Sequence, residues 1–295
     1  MRKRFMLLAG FACLLFSSSG LAQIPILEHQ LPARSLGMAG LGRTFASGGN
    51  AMFLNPAALG VSRQYVLGVR YNYSNADPST HTLGAEWTDS TPNALNLSMA
   101  LGYDYDITDQ EDGNNFHGSV AYSLRTPNVG VHFGVGGHML SHIGGTQQEL
   151  TTSDAGVVVD IKNMLLIGVV GYNLLNSEDD LYPRGVGGGF SYWKGPFMMG
   201  FEIQSLINDK TTDAQGETSI QYHGGLQYKI MDSAYLRTGV NYNDLTEHTT
   251  LAGGLTIVAA DALGIEAGYQ QNVTQTDDLT VGINLQLYSP FGNAL

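Results

Sequence analysis

From about residue 60 onward, apolar and polar side chains alternate with a period of two, the mark of strands that present one apolar face. Between Gln64 and Tyr73, the residues Tyr65, Leu67, Val69, Tyr71 and Tyr73 share one face, while Gly68, Arg70 and Asn72 share the other. From Asn93 to Tyr105, Leu95, Leu97, Met99, Leu101, Tyr103 and Tyr105 alternate with Asn96, Ser98, Ala100, Gly102 and Asp104. Leu279, Val281, Ile283, Leu285 and Leu287 alternate in the same way with Thr280, Gly282, Asn284 and Gln286. Fourteen such runs are predicted, at about 63–74, 79–88, 93–105, 115–125, 128–141, 148–161, 163–174, 184–194, 196–206, 217–229, 233–243, 247–258, 262–272 and 277–288. Most are long enough for a tilted strand to cross a bilayer, which takes about 9–11 residues.

The connections alternate in length. Tight turns are expected at Thr126-Pro127, Lys162-Asn163, Lys194-Gly195, Met231-Asp232 and Ala260-Asp261, with a slightly longer one at Asp89 to Pro92. Longer, mostly acidic links are expected at Asp106 to Asn114, Ser141 to Gln147, Asn176 to Pro183, Asn208 to Gly216 and Asn272 to Thr276. Short periplasmic turns and longer external loops are the habit of outer-membrane barrels. On that orientation Tyr65, Trp87, Tyr122, Tyr192, Trp193, Phe197, Tyr228 and Tyr288 would form an inner aromatic girdle. Tyr71, Tyr73, Tyr103, Tyr105, Tyr172, Tyr242 and Tyr269 would form an outer one. In hydrocarbon every backbone N–H and C=O must be paired, so strands cross only as a closed ring. The expected fold is therefore all-β: a 14-stranded antiparallel transmembrane barrel, apolar outside and polar inside.

Composition narrows the picture further. Charged residues make up 14% of the chain, against about 25% in a soluble domain. The formal net charge of −12 leaves no basic stripe for nucleic acid. Arg2-Lys3-Arg4, the apolar stretch Phe5 to Phe16 and Gly20-Leu21-Ala22 read as a cleaved signal peptide over 1–22. The apolar stretch is too short for a transmembrane helix, which needs about 20 residues. The single cysteine, Cys13, falls within that leader, so the exported chain is expected to form no disulfide. The domain reading is thus a signal peptide at 1–22, an N-terminal segment at 23–62, a barrel at 63–288 and a periplasmic tail at 289–295.

Residues 23–62 do not share the strand pattern. Leu36 to Ala46 is glycine-rich, with Gly37, Gly40 and Gly42, and Ser47-Gly48-Gly49-Asn50 precedes a short helical stretch, Ala51 to Leu54. Asn55-Pro56 ends it, because the residue before a proline is biased away from helix. The pattern Arg34-Ser35-Leu36-Gly37-Met38-Ala39-Gly40, then Gly48-Gly49-Asn50-Ala51, then Asn55-Pro56-Ala57-Ala58-Leu59 resembles the outer-membrane transporter superfamily typified by the long-chain fatty acid channel FadL. A similar motif marks the PorV/PorQ proteins of type IX secretion. The resemblance implies that 23–62 is a hatch plugging the barrel, built on Arg43, Asn50, Phe53, Asn55 and Pro56. FadL-type proteins are longer and carry a hydrophobic capture site on their external loops, which this chain's short polar links do not provide.

Strand parity turns Arg70, Glu86, Asp104, His132, His138, Asp160, Glu202, His223, Lys229, Arg237 and Glu266 toward the lumen. They are candidates for lining a permeation path or contacting a ligand, and equally for pairing with one another and with Arg43. Inward glycines make room for either a plug or a ligand. Met52, Phe53 and Leu54 stand out as an apolar triplet in a polar interior, suited to anchoring the plug. Neighbouring pairs such as Ser141-His142 and Glu247-His248 point to opposite faces of a strand, so no catalytic dyad is expected. The link from Asp106 to Asn114 fails the calcium-loop pattern, and no cofactor or metal is expected. The resemblance implies passive uptake of small hydrophobic molecules, or else a secretion-associated scaffold that binds a protein partner. In both cases the barrel would contact outer-membrane lipid and lipopolysaccharide.

Overall fold

The computed structural model describes residues 30–76, 79–108, 112–143, 149–175, 183–209, 217–259, 262–274 and 278–289. The expected signal peptide and nearly all of the C-terminal tail lie outside the described residues. Fourteen strands run in sequence order: β1 (Tyr65–Ser74), β2 (Thr80–Asp89), β3 (Leu97–Thr108), β4 (Asp112–Arg125), β5 (Val129–Ile143), β6 (Glu149–Ile161) and β7 (Leu165–Tyr172). They continue as β8 (Arg184–Lys194), β9 (Phe197–Asp209), β10 (Glu217–Met231), β11 (Ala234–Asn243), β12 (His248–Ala259), β13 (Leu263–Asn272) and β14 (Leu279–Tyr288). Every neighbour is antiparallel, and β1 pairs with β14 from Val66↔Tyr288 to Ser74↔Thr280. The ring is closed, so no strand edge is left to hydrogen-bond with a solvent the hydrocarbon lacks.

The side chains sort as the period-two pattern requires. Val69, Leu83, Leu101, Val135, Val169, Leu226, Ile265 and Ile283 are exposed on the outer face, and both strand neighbours of Val69, Val169, Ile265 and Ile283 are buried. An aliphatic exterior of this kind is stable only against lipid. The tight turn between β6 and β7 has Lys162 and Asn163 at φ 57° and 53°. This is the left-handed pair of a type I′ hairpin, whose twist matches that of its strands.

Three expectations need correction. Strand β3 starts at Leu97 rather than Asn93, because Asn93 accepts from the Leu95 and Leu97 amides and Asn96 sits at φ 54°, making a turn of 93–96. The link expected at Asp106 to Asn114 is mostly strand: Asp106 turns inward to Thr82 and Gln30, and Tyr105 donates to Asp112 at 2.7 Å. Three residues assigned to the girdles are not part of them. Tyr172 is in phase with the buried Leu166 and Val170 and points into the barrel. Trp193 packs edge-on against Phe45, with centroids 6.3 Å apart, and Tyr288 turns back to donate to Gln286 at 2.6 Å.

The interior is occupied. Residues 30–64 fold within the barrel as a hatch of two short helices, α1 (Ala33–Leu36) and α2 (Asn50–Leu54), followed by a 3₁₀ turn (Pro56–Gly60). Nor is the lumen uniformly polar. Val158, Leu166, Met198, Ala100 and Ala121 of the wall form one apolar cluster with Met38, Leu41, Phe45, Met52, Phe53, Leu54 and Leu59 of the hatch. Met52 to Leu54 is therefore part of a larger core. Parity identifies which residues face inward but does not reveal that β6, β7 and β9 place aliphatic ones there.

Candidate functional site

The site is the seat of the hatch in the wall. Its centre is the turn around Arg43. Gly40 and Gly42 have φ of 79° and 155°, conformations open to glycine at no steric cost. They bring the Gly42 and Thr44 amides onto one carboxylate, that of Glu202 on β9, at 3.1 and 3.2 Å. Arg43 Nη1 reaches the same carboxylate at 3.1 Å. The guanidinium also donates to the Gly40 carbonyl and to Gln204, and lies over the ring of Tyr172. One buried glutamate thus accepts from two amides and a cation, which compensates much of the cost of removing the charge from water.

The segment that follows is held by Asn55. Its side-chain oxygen accepts from the Ala57 amide at 3.0 Å, capping the 3₁₀ turn, with Pro56 at the first position. Its Nδ2 donates to the Arg43 carbonyl at 2.8 Å, so a single side chain ties the two halves of the hatch together. Asn50 accepts from Ser35 at 3.0 Å and joins α2 to α1. Tyr172 donates to the Leu54 carbonyl at 2.6 Å, and His223 Nδ1 to that of Ala39 at 2.7 Å.

The wall is cut to fit this plug. A Cβ on Gly134 would lie 2.6 Å from the Ala57 Cα, and one on Gly239 would lie 2.7 Å from the Met38 Cα. Gly37 of the hatch meets Gly254 of β12, where a Cβ on either would come within 3.0 Å of the other's Cα. Gly134, Gly239, Gly254 and Gly268 of the wall therefore make room for the hatch backbone, while Gly68, Gly84 and Gly264 make room for wall side chains.

The lumenal charges fall into ordered sets. A belt crosses six consecutive strands. Arg70 on β1 is 3.5 Å from Glu86 on β2 and pairs with Asp104 on β3. Asp104 meets His117 Nε2 on β4 at 3.0 Å, His117 meets His138 on β5, and His138 Nε2 meets Asp154 on β6 at 2.7 Å. Phe53 of the hatch sits under this belt, 4.4 Å from the Arg70 guanidinium and 4.4 Å from the His117 ring. On the opposite wall Arg237 holds Gln227 and Thr256, with Glu266 at 3.9 Å, and Glu86 also receives Gln286 at 3.2 Å. His132 bonds Ser123 at 2.8 Å beside Gly60.

Of the eleven lumenal candidates, Arg70, Glu86, Asp104, His132, His138, Glu202, His223, Arg237 and Glu266 are buried inside the barrel, as are Arg43, Asn50, Phe53, Asn55 and Pro56 of the hatch. Asp160 is also inward, while Lys229 sits at the rim and pairs with Asp232 at 3.0 Å. Sequence reading passed over His117, Asp154 and Gln204. All three were within reach of parity, since His117 is in phase with Asn115 and Ser119, Asp154 with Asp160, and Gln204 with Glu202. Among the described residues no group of three or more His, Cys, Asp or Glu converges as a metal site.

Comparison with known proteins places this architecture. Residues 65–192, from β1 through most of β8 and less than half of the chain, match the family described as "Putative MetA-pathway of phenol degradation". No curated protein matches the sequence. Among solved structures, the monoaromatic hydrocarbon channel CymD aligns at TM-score 0.63 with 13% identity, covering 88% of this chain and 96% of its own. The toluene transporter TodX of Pseudomonas putida aligns at 0.60 with 11% identity over 87% and 96%. The toluene transporter TbuX of Ralstonia pickettii aligns at 0.60 with 13% identity over 90% and 98%. The chain therefore shares its fold with these three proteins.

Proposed function

We propose that this protein is an outer-membrane channel for passive uptake of small hydrophobic molecules, of about the size of one aromatic ring. The observation that carries this reading is the apolar cluster inside the lumen, where Val158, Leu166 and Met198 of the wall face Met38, Leu41, Phe45 and Leu59 of the hatch. A pore for hydrated solutes has no use for such a surface, whereas a molecule that leaves water on passage gains about 25 cal/mol per Å² of apolar area it buries there. The fold shared with channels named for toluene and monoaromatic hydrocarbons supports the same class of cargo. Those neighbours favour a channel over a secretion-associated scaffold. Permeation requires the hatch to shift, because the cluster is closed on both sides by buried residues. Lipid around the aliphatic exterior is the one constant partner; contact with lipopolysaccharide at the outer rim follows from the orientation proposed here.

The test is accumulation of a labelled monoaromatic compound in cells whose outer membrane carries the protein, compared with cells that lack it. Expression should raise the initial rate, and removal of residues 35–59 should change it again. Identical rates in all three strains would end this reading.

A further inference from the structure

His117 and His138 stand directly opposite one another on β4 and β5, with Nδ1 2.7 Å from Nδ1. Each ring turns its other nitrogen to a carboxylate: His117 Nε2 to Asp104 at 3.0 Å, His138 Nε2 to Asp154 at 2.7 Å. An ionised carboxylate only accepts, so both Nε2 atoms carry hydrogen. A nitrogen–nitrogen contact of 2.7 Å is a hydrogen bond only when one Nδ1 bears hydrogen and the other a lone pair. The two rings therefore hold three N–H groups and one positive charge between them.

The two rings differ in their surroundings. Asp104, the partner of His117, shares the Arg70 guanidinium with Glu86, whereas Asp154 receives the Asn173 amide at 2.9 Å besides His138. The His138 side chain is also the less buried of the two, 7% exposed against 0%. A second proton would set two N–H groups and two cations against each other across the same 2.7 Å, where neither can accept. The contact must then open. His117 is the ring on which Phe53 of the hatch packs, so the opening is delivered to α2. The charged groups in line with the pair are Arg70 of β1, Glu86 of β2, Asp104 and Asp106 of β3, and Asp154 of β6, with Phe53 as the hatch's contact.

We propose that the His117–His138 pair is a proton-operated latch on the hatch: one shared proton keeps Phe53 seated, and a second unseats it. This goes beyond the uptake reading, since it concerns how the plug is held and not what passes.

Hydrogen exchange of the hatch amides tests it without any transport measurement. In the full-length protein in detergent or lipid, exchange of residues 50–60, corrected for the intrinsic pH dependence, should lose about tenfold in protection in a single step as the pH is lowered from about 7 to about 4. His138→Gln, which donates to His117 but takes no proton, should abolish that step. Asp154→Asn, which removes the carboxylate that His138 Nε2 faces, should change the size or position of the step. Nitrogen-15 spectra of histidine-labelled wild-type protein near neutral pH should show both Nε2 atoms of the pair protonated and only one Nδ1. Protection that does not change with pH in the wild type, a step that persists in His138→Gln, or two protonated or two bare Nδ1 atoms would each overturn the latch. Failed uptake of aromatic compounds would leave this test standing.

Discussion

Arg43 on the hatch and Glu202 on β9 lie 3.1 Å apart with almost no exposure, and the carboxylate also holds the amides on either side of that arginine. The two partners are consequently unequal. Replacing Glu202 with Ala strands a buried guanidinium and two backbone donors, and is expected to cost about 3–5 kcal/mol of hatch stability. Arg43→Met should cost less, because the Gly42 and Thr44 amides still satisfy the carboxylate. Protease sensitivity of the hatch in the two variants gives the ranking, and the reverse order would show that the cation is the anchor.

The glycine seats make a second prediction. Ala at Gly134 or Gly239 would push its methyl into the hatch backbone, an overpacking of about 1–3 kcal/mol. The barrel should remain folded while the hatch becomes looser and probe accumulation changes. Gly253, where a Cβ would meet nothing within 4 Å, is the control and should shift stability by no more than about 0.5 kcal/mol. Equal effects at all three positions would mean the hatch does not touch the wall where it is placed.

Asn55 tests the internal join of the plug. Asn55→Ala removes the cap on the 3₁₀ turn and the bond to the Arg43 carbonyl, worth about 1 kcal/mol as a cap alone. Asn55→Asp retains the acceptor but not the donor, so it should recover part of the loss. Thermal unfolding of the two variants separates the bonds.

The outer face makes a fourth prediction. Ile283 is 47% exposed near the middle of β14, and arginine there should cost about 2–4 kcal/mol for insertion into a bilayer. Leu95 is 68% exposed but lies in the turn before β3, where the same substitution should insert normally. Folding yield into lipid vesicles measures both.

Much of this could be read from the sequence because a bilayer imposes a strict rule. Leu67, Val69 and Tyr71 had to face outward together, and fourteen such runs had to close. The hatch was legible through Asn55-Pro56 and its glycines. What escaped were facts that depend on juxtaposition. Alternation identifies His117 as inward but not that His138 faces it, since register between strands is set by the turns and by every other pair. Tyr172, Trp193 and Tyr288 were assigned to the girdles because an aromatic near a strand end suits a membrane interface; one residue of phase carries each to the other side of the wall. The aliphatic lining on β6, β7 and β9 was hidden for a related reason. Val157, Val158 and Val159 are all apolar, so that stretch of β6 does not alternate.

The close contact of Gly37 with Gly254, together with the seating of α1 against β12, β13 and β14, also bears on the order of assembly. The plug is encoded at the start of the chain, yet the walls that receive α1 are the last to be synthesised. The 3₁₀ turn rests on β3 to β6 and α1 on β12 to β14, so the plug has its whole berth only in the closed ring, and it bridges walls that lie far apart in the sequence.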